Sequence, residues 1–89
     1  MTKELELVKK VLGFLASIER DNAGYSWQTG PQISENLSIL PVDVADAVEI
    51  AHSRGWVKWM RVVNTAPYVF GQIMITPEGR LWLDKTYFS

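Results

Sequence analysis

The segment TGPQISENLSILPVDVADAVEIAHSRGWV, residues 29–57, decides the fold of this chain. Thr29 or Gly30 can cap a short helix that is predicted over about Pro31 to Leu37, because proline suits a first helical turn. A turn ending in a second proline leads into another helix, predicted over about Val42 to Arg54. The segment therefore predicts two short helices joined by a tight turn, which is a helix-turn-helix.

The second helix of this segment carries apolar residues at helical spacing. Its predicted core stripe consists of Val44, Ala47, Val48 and Ala51. Gly55 supplies a left-handed stop, after which Trp56 can fold back onto the last turn.

A longer helix is predicted upstream, from Thr2 to Arg20. Its first apolar stripe, expected to face the core, consists of Leu5, Val8, Leu12, Leu15 and Ile18. A second stripe consists of Leu7, Val11, Phe14 and Ile18. Either this helix is deeply buried within one chain, or the second stripe meets another chain, since an exposed apolar stripe marks an interface. A very short strand is predicted over Tyr25–Trp27.

A hairpin and a last helix are predicted downstream. The first strand covers Trp56 to Arg61, the polar turn covers Asn64–Pro67, and the return strand covers Tyr68 to Ile75. Gly71 within the return strand predicts a bulge or a close backbone approach. Thr76-Pro77-Glu78 then begins a short helix with a cap, a proline and an acid, although Gly79 stands where a capping box would place Glu or Gln.

The order of helix, short strand, helix, turn, helix, hairpin and helix resembles the winged helix-turn-helix superfamily. The phrases that carry this resemblance are Ile33-Ser34-Glu35-Asn36-Leu37, Leu40-Pro41, Ala47-Val48, Gly55-Trp56-Val57 and Ile75-Thr76-Pro77-Glu78-Gly79-Arg80. The resemblance covers nearly the whole chain. Within the superfamily, the chain is most similar to small bacterial or phage-borne proteins. It implies an α+β fold in one domain over residues 1–89, with a three-helix core, a two-stranded wing, a possible short third strand and a short C-terminal helix.

The resemblance also implies DNA binding, with the third helix in the major groove and the hairpin tip on the backbone or minor groove. The residues that would face the groove are Val42, Asp43, Asp46, Glu49, Ile50 and Ser53. This face departs from the family because it has three carboxylates and no Arg, Lys, Asn or Gln. Carboxylates can accept a hydrogen bond from cytosine N4, but close to phosphates they are repelled.

Basic and polar residues elsewhere offer other contacts to DNA. The candidates are Thr29, Gln32, Arg54, Lys58, Arg61, Asn64 and Thr65. The amides at the start of the helix that follows Thr29 suit a phosphate, and the remaining residues suit a contact led by the wing. The alternative is that the charges on the wing only keep a strand edge soluble.

Composition limits the other functions. The 89 residues carry a net charge of −1 with a pI of about 5.7, without the overall basic excess of a dedicated nucleic-acid binder. With no cysteine there is no disulfide or thiolate metal site. A zinc site needs more nitrogen or sulfur ligands than the single histidine, His52, provides, and a catalytic triad could only be built around this one residue. Asp43, Asp46 and Glu49 could bind a hard cation, but a solvated acidic face or a patch for a basic partner fits them better. We expect no cofactor, no metal and no enzymatic activity.

The apolar stretches are too short to span a membrane and the N-terminus has no signal-peptide pattern. We therefore expect a cytoplasmic protein, and a complete one, because the chain begins with Met and has no linker. Two functions remain open: a homodimeric DNA-binding transcriptional regulator, and a protein-interaction module whose acidic third helix contacts a basic partner. The dimer-interface candidates are Leu7, Val11, Phe14 and Trp82. The tryptophans either stack on bases or fill the small core, and one of Trp56 and Trp59 is expected to be exposed.

Overall fold

The protein forms four helices and a three-stranded antiparallel sheet, in a computed structural model that describes residues 3–21, 27–60, 68 and 70–88. In chain order the elements are α1 (Lys3–Asp21), β1 (Gln28–Thr29), α2 (Gly30–Leu37), α3 (Pro41–Ser53), β2 (Val57–Met60), β3 (Gln72–Ile75) and α4 (Pro77–Phe88). This is the predicted order of elements, and the α+β fold class is confirmed.

The sheet has the order β1-β3-β2. The hairpin therefore pairs β2 with β3, and β1, the predicted short extra strand, lies on the other side of β3. Val57 lies opposite Ile75 and Trp59 opposite Ile73, which places the alternate residues of both strands on the core side. The third strand is two residues long and begins at Gln28, which pairs with Ile73. The predicted position for it was wrong at Trp27, which precedes the strand; Tyr25 and Ser26 lie outside the described residues.

The return strand begins later than predicted. Tyr68 and Phe70 lie before β3, and both side chains are buried in the core. Gly71, predicted inside the strand, lies just before it and donates its N–H to the carbonyl oxygen of Met60 at 2.6 Å. Strand-forming residue types were misleading here because these two aromatic rings fill the core outside the strand.

The core contains one face of α1, the inner faces of α2 and α3, and the inner side of the sheet. On α1, Val8, Leu12 and Leu15 are completely buried, which confirms the centre of the first predicted stripe. All four predicted core residues of α3 are at most 2% exposed. The helix-turn-helix therefore packs its apolar sides inward and leaves the opposite side of α3 in solvent.

The start of α2 is fixed by a reciprocal cap. Gln32 donates its backbone N–H to Thr29 Oγ1 at 3.3 Å, and Thr29 donates its own N–H to Gln32 Oε1 at 2.8 Å. This is a capping box with the spacing Thr-x-x-Gln. The sequence contains this spacing, but the prediction named only the cap and not the return bond from Gln32.

The helices α2 and α3 both end in left-handed turns. At the end of α3, Gly55 has φ +75°, its N–H bonds to the His52 carbonyl at 3.0 Å, and Trp56 N–H bonds to the Ala51 carbonyl at 2.9 Å. These two bonds form a Schellman motif and confirm the predicted stop. At the end of α2, the same conformation is adopted by Ser38, with φ 54°.

Replacing Ser38 with glycine should therefore stabilise the protein. A residue with a Cβ is destabilised by about 1–2 kcal/mol in the left-handed region, and glycine avoids this penalty. Part of the gain is lost because glycine has greater conformational freedom in the unfolded chain. We expect Ser38→Gly to raise the free energy of unfolding by about 0.5–1 kcal/mol, measured by urea denaturation. Ser53→Gly, at an exposed position within the last turn of α3, should instead lower it.

The start of α4 is hydrogen-bonded to the turn that follows α3. Thr76 is 5% exposed, and its Oγ1 accepts the Gly79 N–H at 3.1 Å, which confirms the predicted cap. The same hydroxyl donates to the Gly55 carbonyl at 2.7 Å, and the Thr76 N–H donates to the Trp56 carbonyl at 3.0 Å. One buried threonine thus joins the turn after α3 to the first turn of α4.

Candidate nucleic-acid interface

The solvent side of α3 carries four exposed residues in one row, here called the α3 stripe: Val42, Asp46, Glu49 and Ser53. Their spacings of four, three and four residues place them on one face of the helix. Val42 is 54% exposed, at the N-terminal end of the row. The exposed face predicted from the sequence is therefore present for these four residues.

The other two residues predicted on that face turn toward α1. Asp43 and Ile50 are half-buried, and together with Ala47 they line a shallow cleft against the start of α1. The remaining lining residues are Lys3, Glu4, Leu7 and Asp46. The predicted acidic face thus includes both the exposed α3 stripe and one side of this cleft, and Asp46 belongs to both.

The C-terminal end of α3 is held on the sheet by ring stacking. The rings of His52 and Trp59 lie 3.6 Å apart between centroids with an angle of 8° between their planes. Trp59 is half-buried and in turn lies parallel to Phe70, with centroids 6.2 Å apart. Sequence reasoning placed His52 only at the helix end, and nothing local in the sequence indicates a ring seven residues further on the next strand.

Two cations follow the stripe along the chain. Arg54 and Lys58 are both exposed, the first just after α3 and the second on the outer side of β2. The guanidinium carbon of Arg54 lies 5.4 Å from the ring centroid of Trp56, which stacks on Trp82 with centroids 4.2 Å apart. A cation over an aromatic face is attracted by the ring, so this arginine has a preferred position beside the end of α3.

The other DNA-contact candidates are either not described or engaged in another contact. Arg61, Asn64 and Thr65 lie outside the described residues. Thr29 and Gln32 bond to each other in the cap of α2. Because Gln32 N–H is taken and the preceding Pro31 has none, the start of α2 offers a phosphate fewer amides than the sequence suggested.

The dimer-interface candidates are less exposed than predicted. Val11 is 1% exposed, so it is a core residue with no surface to offer a second chain. Leu7 and Phe14 are half-buried against the core, and Trp82 is half-buried in its stack on Trp56. Among the α4 side chains that the structure describes, the large apolar residue that is exposed is Leu81, at 61%, which sequence reasoning did not select as an interface residue.

Two further apolar side chains are exposed near the candidate interface. Leu40, one residue before α3, is 67% exposed, and Met60 at the end of β2 is 47% exposed. Because Leu40 belongs to the turn between the two short helices, it lies beside the N-terminal end of the α3 stripe. No pattern in the sequence indicated this exposure, since an apolar residue in a turn is ordinarily expected to fold inward.

The described residues contain no group of three or more His, Asp or Glu side chains placed to hold a metal ion. Over the same residues, no helix combines the length and the apolar character that crossing a bilayer requires. A separate contact, the ion pair between Arg80 and Glu19, joins the start of α4 to the end of α1.

Comparison with known proteins supports the fold. No protein-family model and no curated protein matches the sequence. Among solved structures, the chain is similar to the crystal structure of the transcriptional regulator BldR from Sulfolobus solfataricus, with a TM-score of 0.67 and 16% sequence identity. The similarity covers 90% of this chain and 50% of that chain, so this chain spans about half the length of BldR. The protein therefore has the winged helix-turn-helix fold that its order of elements predicted.

Proposed function

We propose that the protein binds double-stranded DNA and regulates transcription as a small homodimer. The observation that carries this proposal is the free side of α3, followed directly by exposed Arg54 and Lys58 at the helix end and on β2. Proteins with this fold place such a helix in the major groove and contact phosphates with the strands beside it. The similarity to a transcriptional regulator supports the same function by analogy of fold.

The distribution of charge indicates how the chain would lie on the duplex. Asp46 and Glu49 on the α3 stripe would be repelled by phosphates, whereas Arg54 and Lys58 would be attracted. Affinity in this arrangement comes from the end of α3 and from β2, because phosphate neutralisation supplies most of non-specific binding. The carboxylates would then face the groove floor between the two backbones.

Reversing the two cations should remove most of the binding. We expect Arg54→Glu with Lys58→Glu to weaken binding to a random-sequence duplex at least about tenfold and to lower the salt slope by roughly 2, because each lost phosphate contact lowers it by about 1. The measurement is fluorescence anisotropy of a labelled duplex over roughly 50 to 200 mM salt.

The matched control for this variant is Lys10→Glu with Lys85→Glu. It makes the same change in net charge at two exposed lysines on α1 and α4. Asp46→Ala should leave non-specific binding intact or strengthen it. Equal losses in both double variants would refute the proposed orientation, because only net charge would then matter.

Dimerisation has its own test. If α1 and α4 pair two copies, sedimentation should give a mass near twice 10.1 kDa. We expect Leu81→Glu to split this dimer without unfolding the chain, since that side chain is 61% exposed, while Phe14→Glu tests the half-buried candidate on α1. A monomer at high protein concentration would remove the dimer from the proposal.

A second function is favoured by the cleft between α1 and α3. Leu7, Ala47 and Ile50 form its apolar part. Its charged lining residues are Glu4, Asp43 and Asp46, with one cation, Lys3, so carboxylates outnumber cations there. Such a cleft suits an amphipathic segment of a basic protein, because it combines an apolar floor with carboxylates. Absence of salt-dependent DNA binding, together with capture of a labelled basic amphipathic peptide that Asp43→Lys abolishes, would select this function instead.

A further inference from the structure

The α3 stripe has an unusual chemistry for a surface that faces bases. It begins with the branched apolar side chain of Val42, continues with two carboxylates, and ends with Ser53, whose hydroxyl donates to the Ile50 carbonyl at 2.7 Å. The opposite side of α3 is buried, with Val44, Val48 and Ala51 completely inaccessible. The stripe is therefore the side on which α3 can enter a groove.

The major groove offers partners for both kinds of side chain. Thymine presents a C5-methyl group there and cytosine presents the N4 amino group, a donor, whereas guanine presents two acceptors. A carboxylate can only accept, so it bonds to the cytosine N4 amino group and is repelled by the O6 and N7 atoms of guanine. Adenine has an N6 amino donor too, but its N7 acceptor beside that donor repels the second carboxylate oxygen.

Resting on the proposed function, we propose that the α3 stripe makes the binding selective for thymine and cytosine on one strand of the duplex. Val42 packs against a thymine methyl group, and Asp46 and Glu49 accept hydrogen bonds from cytosine amino groups. Arg54 and Lys58 supply phosphate contacts that are independent of sequence. The carboxylates thus act chiefly by rejecting guanine at the positions they face.

The spacing of the stripe sets the spacing of the bases. Along α3, Asp46 lies about 6 Å and Glu49 about 10 Å beyond Val42, at about 1.5 Å per residue. Successive base pairs are about 3.4 Å apart. A helix that runs along the groove would therefore read a thymine and two cytosines within about four base pairs.

The experiment is selection of the full chain on a random duplex pool, followed by base replacement in the selected duplex. Replacing the contacted thymine by deoxyuridine removes only the methyl group, and we expect an affinity loss of about fourfold. In Val42→Ala the same replacement should have little effect, because the packing partner is already gone. Val42 is 54% exposed, so this variant is expected to fold.

The carboxylates are tested by a change of preferred base instead of a loss of binding. Glutamine bonds to adenine through two atoms, so Glu49→Gln should replace cytosine by adenine at one position of the selected site. The wild type should bind a guanine at that position about 5- to 150-fold more weakly than cytosine. A purely structural role of this residue would not alter which base is selected.

The outcomes separate this inference from the function on which it rests. Salt-dependent binding without base preference, or a deoxyuridine effect that persists unchanged in Val42→Ala, would overturn the inference and leave DNA binding standing. Absence of salt-dependent binding to any duplex would overturn both. Selection of guanine opposite the carboxylates would also overturn the inference.

Discussion

Truncation of Phe70 to alanine should lower the free energy of unfolding by about 3–5 kcal/mol, the usual cost of removing a buried aromatic ring. Its ring is 1% exposed and lies between Tyr68, at 5.3 Å between centroids, and Trp59, at 6.2 Å. The alanine would leave a cavity where the hairpin returns to the core. Since a chain of this length is stable by roughly 4–13 kcal/mol, this variant should lose a large fraction of its stability.

The measurement is urea denaturation followed by far-ultraviolet circular dichroism. Leu40→Ala is the matched control: it truncates a large apolar side chain that is 67% exposed and lies outside the proposed dimer interface, and it should change stability by no more than about 0.5 kcal/mol. Equal effects of the two substitutions would contradict the placement of Phe70 in the core.

Gly79→Ala should be the second most damaging substitution. A Cβ at this position would lie 3.1 Å from the carbonyl carbon of Trp56 and closer still to its oxygen, which accepts the Thr76 N–H at 3.0 Å. A backbone group cannot move aside as a flexible side chain can. We expect a loss of about 2–3 kcal/mol, the cost of overpacking, even though alanine favours a helix over glycine by about 1 kcal/mol.

Gly55 provides the control, because its glycine has a different cause. A Cβ at Gly55 would meet nothing within 4 Å, but the backbone has φ +75°. Asparagine tolerates this conformation, so Gly55→Asn should be mild while Gly79→Asn should be severe. If both asparagine variants were equally stable, the close approach at Gly79 would not limit the fold.

Local signals in the sequence were sufficient for the helices. The period of 3.6 residues identified the buried side of α3, and Gly55 and Thr76 were recognised as a stop and a cap by residue type and position. These features depend on neighbours within one or two turns, so the sequence alone contains them. The exposed α3 stripe followed from the same periodicity.

The features that sequence reasoning missed depend on contacts between elements. The sequence showed that position 79 lacks the Glu or Gln of a capping box, but not why. The structure gives the reason: the Trp56 carbonyl lies beside Gly79 and leaves no room for a side chain. Val11 was left open between burial within one chain and contact with a second chain, and the packing of other elements around α1 buries it. The stack of His52 on Trp59 arises where a helix end meets a strand, which no periodicity indicates.

The two aromatic stacks give the chain built-in spectroscopic reporters. Indole rings as close as those of Trp56 and Trp82, at 4.2 Å, couple their electronic transitions and produce paired circular dichroism bands of opposite sign. Trp59 instead stacks on the imidazole ring of His52, and contact with this ring quenches its indole emission. Docking of α4 and the state of the end of α3 can therefore be followed separately in one unlabelled sample, including while a partner binds.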